Sequence, residues 1–77
     1  MFFCKKKRII TVDKALTDMD IEKLKVVLEN LVDVSKVKIK SQEKYIVVYY
    51  ENTIEDILLQ NTVERLGYTV TGIKESV

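Results

Sequence analysis

The sequence contains no histidine, no tryptophan and no proline, and it has two glycines and a single cysteine. These absences exclude chemistry before any pattern is read. A zinc site of Cys and His ligands needs about four such side chains, and one is present. Nucleophilic catalysis on a Ser-His or Cys-His pair lacks its base. One cysteine makes no internal disulfide, so nothing points to an oxidising compartment. No apolar run reaches the ~20 residues of a membrane-crossing helix. Arg8 and Arg65 are the only arginines, and neither sits in a Gly-rich turn that would cradle a phosphate. An enzyme is not expected.

What is there is globular. Seventy-seven residues with 47% apolar and 32% charged side chains make one small domain. A chain of this length buries only about 60–65% of its unfolded surface, so it has one modest core. Net charge is +1 but uneven: Lys5, Lys6, Lys7 and Arg8 are four of the thirteen basic residues, leaving nine against twelve acidic ones over 9–77. The basic run reads as a solvated tail, residues 1–7, before a domain at 8–74 and a short tail at 75–77. A second reading is a membrane-surface patch in which Met1, Phe2 and Phe3 dip into lipid and Cys4 is acylated. Three apolar residues and one chain give reversible binding only, so stable membrane insertion is not expected. The charges follow the apolar residues instead of preceding a longer apolar stretch, unlike a secretory signal. A cytoplasmic location is the expectation.

Ile9, Ile10, Thr11 and Val12 form a β-branched run that predicts a first strand from Lys7 to Asp13. Thr17 with Asp20 three residues on, and Asp18 between, opens a helix from about Asp18 to Leu31. Its apolar face is Ile21, Leu24, Val27, Leu28 and Leu31. Val37 and Ile39 alternating with Lys36, Lys38 and Lys40 predict a second strand, followed by a polar turn at Ser41–Lys44. Tyr45–Tyr50 is a continuous strand run, hence central. Thr53 with Asp56 repeats the capping spacing before a second helix with the face Leu59, Val63 and Leu66. Gly67 suits a left-handed helix stop, and Tyr68 to about Ile73 is a fourth strand.

The order βαββαβ with right-handed crossovers predicts an α+β, ferredoxin-like sandwich. Its sheet has four antiparallel strands with both helices on one face. The end of the first strand, the start of the first helix, the Ser41–Lys44 turn and Gly67-Tyr68 should gather at one loop edge.

The helix pattern from Ile21 to Leu31, Val34 with Ser-Lys-Val, and the closing Leu66-Gly67-Tyr68-Thr69-Val70 resemble a known family over residues 8–74. It is the heavy-metal-associated domain of copper chaperones and metal-transporting P-type ATPases. That resemblance implies a metal-carrying loop, Gly-Met-x-Cys-x-x-Cys, between the first strand and first helix. Counted back from Leu31 and Val34, its Gly falls on Lys14, its Met on Ala15 and its two Cys on Thr17 and Asp20. The soft thiolates that would hold Cu(I) are replaced by a hydroxyl and a carboxylate. Thr17 and Asp20 instead suit a helix cap. Asp13, Asp18 and Asp20 show no ordered spacing for a hard cation, and Met19 alone does not hold Cu(I). Cys4 is placed about 20 Å from the loop edge, at the far end of the first strand. Its thiol, near lysines, would be somewhat reactive.

The expectation is therefore a non-catalytic, heavy-metal-associated-like module without its thiolate site and without a cofactor. It acts by protein contact, regulation or self-association. Lys14, Thr17 and Tyr68 form its interaction edge, and the fourth strand is the place for strand addition. The alternative is a weakly metal-binding, chaperone-like protein using Asp18, Met19 and Asp20. Tyr45, Tyr49 and Tyr50 beside Lys36, Lys38 and Lys40 raise base stacking as a third idea. The first strand, however, supplies no aromatic, and residues 9–77 are net acidic. Cross-strand packing is preferred, and nucleic acid is not an expected partner.

Overall fold

A computed structural model of the chain describes residues 6–76. Along them run β1 (Lys6–Val12), α1 (Asp18–Glu29), β2 (Val34–Lys40), β3 (Tyr45–Tyr50), α2 (Asp56–Arg65) and β4 (Val70–Ser76). The strands form one antiparallel sheet in the order β2-β3-β1-β4. β3 and β1 are central, and β2 and β4 are the edges, as the alternation and the continuous run predict.

The pleat sorts the side chains. Arg8, Ile10 and Val12 of β1, Val37 of β2, and Ile46, Val48 and Tyr50 of β3 face the helices. The α1 residues Leu24 and Leu28 and the α2 residues Leu59 and Val63, all fully buried, close over them. Leu16, in the loop after β1, and Ile54, before α2, plug the two ends of this layer. The core is continuous, and no buried side-chain polar atom among the described residues lacks a hydrogen-bond partner.

Several boundaries differ from those read in the sequence, each for a physical reason. Lys6, expected in the basic tail, pairs with Tyr50 and starts β1 one residue before the predicted Lys7, which pairs with Tyr49. Glu75 and Ser76, expected in the closing tail, pair with Arg8 and Lys7. A polar run carries no hydrophobic period, so its pairing comes from the partners' backbone. α1 stops at Glu29, two residues early. The Leu31 N–H donates to the Leu28 carbonyl at 3.1 Å, a tightened last turn that keeps Leu31 on the core. α2 is capped at Glu55 without a side-chain bond, so Thr53 does not repeat the role of Thr17. The carboxylate that would complete that box, Asp56, accepts from Arg8 Nε at 2.7 Å instead. Tyr68 and Thr69 lead into β4 and do not belong to it. Gly67 has φ +101° with open space around its α-carbon, so backbone conformation alone requires glycine. Cys4 and the rest of residues 1–5 lie outside the described residues.

Candidate functional site at the loop edge

Three backbone bonds draw the loop edge together. The Val12 N–H donates to the Lys44 carbonyl at 2.9 Å, Asp13 to Thr69 at 3.2 Å, and Leu16 to Ser41 at 3.4 Å. The end of β1 is thereby tied to the β2–β3 turn on one side and to the entry of β4 on the other. Leu16, 6% exposed, anchors the loop, so the next residue begins α1 at a fixed place.

That residue is Thr17, in extended conformation at φ −83°, ψ 173°. The Asp20 N–H donates to Thr17 Oγ1 at 3.2 Å, and the Thr17 N–H donates to Asp20 Oδ2 at 2.9 Å. This is the reciprocal box the spacing predicts, and it satisfies two of the helix's free donors. The other oxygen of Asp20 is also in use. Tyr68, 48 residues away, donates its hydroxyl to Asp20 Oδ1. The hydroxyl of Thr17 and both oxygens of Asp20 are therefore committed to the fold.

These contacts move two ionisations in opposite directions. The Tyr68 hydrogen bond, with the Thr17 contacts behind it, lowers the Asp20 carboxyl from 3.8 to about 2. Burial, then the Asp20 hydrogen bond and charge, raise the Tyr68 phenol from 10.0 to about 12. For Asp20 the added stability is complete above about pH 4 and is lost as pH falls through about 2. For Tyr68 it is complete below about pH 10 and is lost as pH rises through about 12. In an alkaline ultraviolet titration of the phenolate band, Tyr68→Phe should delete a step near pH 12. A wild type whose Tyr68 step falls at the ordinary 10.0 would mean that neither burial nor the Asp20 bond holds the phenol up.

The expected edge residues come together, but not all as contact residues. Lys14 Nζ lies 5.4 Å from the Tyr68 ring centre and Lys23 Nζ 5.6 Å, a pair of cations over one ring. Tyr68 itself is only 5% exposed, so it acts as a strut beneath the edge and offers little surface. Met19, 80% exposed, and Val26, 57% exposed, stand beside Lys23 along α1 and line a shallow depression with Thr17 and Asp20. Asp13 and Asp18 are exposed. Among the described residues, no group of three or more His, Cys, Asp or Glu is placed to hold a metal ion. Lys23 was not legible as an edge residue, although its position three residues beyond Asp20 puts it on the same helix face.

A second polar cluster occupies the opposite end of β1. Arg8, whose side chain is 14% exposed, pairs with Asp56 at 2.7 Å and Glu75 at 3.4 Å. Its guanidinium also donates to the Tyr50 hydroxyl and to the Ile54 carbonyl at 3.3 Å. The cluster joins β1, β3, β4 and the start of α2.

No family model and no curated protein matches the chain. Among solved structures, it is similar to the yeast copper transporter domain Ccc2a, solved in solution in apo and Cu(I)-loaded states. The TM-score is 0.76 at 17% identity, covering 94% of this chain and 96% of that one. The likeness spans nearly all of both chains and establishes the ferredoxin-like fold. No helix among the described residues is long and apolar enough to cross a membrane.

Proposed function

We propose that this chain is a non-catalytic contact module on a heavy-metal-associated fold, with its loop edge serving protein recognition instead of metal carriage. The observation that carries the reading is the commitment of Thr17 and Asp20 to the capping box and to Tyr68. The resemblance puts metal ligands at these two positions. A hydroxyl and a carboxylate are hard donors and do not fit soft, monovalent copper. Binding a cation there would also break the cap that starts α1. What the edge offers is a fixed surface of Lys14, Lys23, Met19 and Val26, apolar at its centre and charged at its rim, with Glu22 beside the lysines. That composition suits an acidic protein partner or a second copy of the chain.

Native mass spectrometry of the reduced protein with Cu(I) or Zn(II), with Cys4→Ser in parallel, tests the reading. No stoichiometric adduct at micromolar concentrations is the expected result. A one-to-one adduct surviving Cys4→Ser would overturn it in favour of the weakly metal-binding alternative at Asp18, Met19 and Asp20. An adduct lost with Cys4, at one metal per two chains, would overturn it by moving metal chemistry to the N-terminal segment.

A further inference from the structure

The face of the sheet away from the helices has a composition unlike the rest of the molecule. The registers set Lys36 beside Tyr49 and Tyr49 beside Lys7. In the next row outward, Lys38, Val47, Ile9 and Lys74 stand side by side. Lys40 and Tyr45 follow, with Thr11. Five lysines thus surround a column of Tyr45, Val47 and Tyr49 on the central strand β3. Lys36, Lys38, Lys40 and Lys74 are exposed and make no ion pair among the described residues, and Lys7 Nζ sits 5.9 Å from the Tyr49 ring centre.

Among the described residues, no strand sets a carboxylate on this face. Of the twelve acidic residues, Glu75 alone lies in a strand, and it turns to Arg8 on the helix side; the others are in helices, turns and loops. The acidic balance of residues 9–77, which argues against polyanions when the chain is counted as a whole, lies off these strands, in the helices, turns and loops. Every charged side chain that the described strands set on the open face is a lysine.

We propose that this open face binds single-stranded nucleic acid, with the β2 lysine row on the phosphates and Tyr45 and Tyr49 against the bases. The row Lys36, Lys38, Lys40 runs parallel to the tyrosine column one strand spacing away, about 4.8 Å. Its members are one pleat repeat apart, about 7 Å. A backbone laid along β2 therefore keeps its bases over β3. Sequence-tolerant single-strand binding combines a cationic track with aromatic platforms in this way. An acidic polypeptide would meet the lysines equally well, but its carboxylate side chains offer no π-face to the tyrosines. With aromatics on one central strand only and no hydrogen-bonding code on the face, binding is non-specific.

The test is fluorescence anisotropy of an end-labelled, single-stranded oligothymidylate of about 16 nucleotides titrated with the full chain. Half-saturation is expected at about 10⁻⁴–10⁻⁶ M near physiological salt. The logarithm of affinity should fall against the logarithm of salt with a slope of about −3.5, five lysines at about −0.7 each. Changing Lys36, Lys38 and Lys40 together to Glu, on an exposed edge strand, should weaken binding at least about tenfold and flatten that slope by about 2. Tyr49→Ala should weaken it about fivefold or more. Far-UV circular dichroism checks that each variant folds. No anisotropy change at low salt, or unchanged binding by the lysine variant, overturns the proposal. Polyglutamate competing at equal charge concentration while folded Tyr49→Ala binds as wild type also overturns it, making the face a site for acidic polypeptides.

Discussion

Replacing Thr17 and Asp20 together with cysteine, in a Cys4→Ser background, should create a Cu(I) site at the start of α1. The two positions stand at the start of α1, where the helix N-terminus favours thiolate over thiol. Lys14 and Lys23 beside Tyr68 add positive charge at the same edge. Two soft sulfurs then face one soft ion, the donor set the fold's resemblance implies. A one-to-one adduct with a dissociation constant of micromolar or tighter is expected, about 8 kcal/mol or more of binding free energy. Native mass spectrometry and competition with a Cu(I) chelator measure it. The apo form should be less stable than wild type by about 1 kcal/mol, because the capping box is lost. Metal should restore that stability, since it binds only the folded edge. If the variant folds but takes no copper, the loop's geometry does not suit the ligand pair that the resemblance implies.

Much of this edge was legible because its signals are local. Thr17 and Asp20 are three residues apart, and a capping box needs nothing beyond its own turn. β2 announced itself by strict alternation, and β3 by an unbroken β-branched and aromatic run. Thr53 and Asp56 show the same local spacing and failed, since Arg8 takes the carboxylate across 48 residues of chain. The Tyr68–Asp20 bond spans the same separation and leaves no trace in either neighbourhood. Arg8 was hidden inside a basic run, yet parity carried the clue: Arg8, Ile10 and Val12 share one face of one strand. The separation of charge across the sheet was invisible until strand register was known, because composition counts residues without assigning them sides.

Arg8→Ala should then be the most destabilising change outside the apolar core. The guanidinium holds two elements to β1: Asp56 opens α2, Ile54 precedes it, and Glu75 lies near the end of β4. Hydrogen bonds to a charged group contribute about 1.5–3 kcal/mol each when well shielded. Asp56 and Glu75 are 57% and 59% exposed, so water screens those pairs and they count for less. The change also withdraws a donor from the hydroxyl of Tyr50, a residue only 2% exposed, whose ring centre lies 5.0 Å from the guanidinium carbon. Together with the lost packing of the arginine stem, about 3 kcal/mol is expected. For a domain this small that lowers the thermal midpoint by on the order of 15 °C. Arg8→Lys should recover only part of it, because a single ammonium cannot reach several acceptors in the plane of a fork. Differential scanning calorimetry of the three proteins decides the matter. A drop of only a few degrees for Arg8→Ala, or equal midpoints for Arg8→Lys and wild type, would reduce the cluster to a surface ion pair. The joint between β1, β4 and α2 would then rest on apolar contact alone.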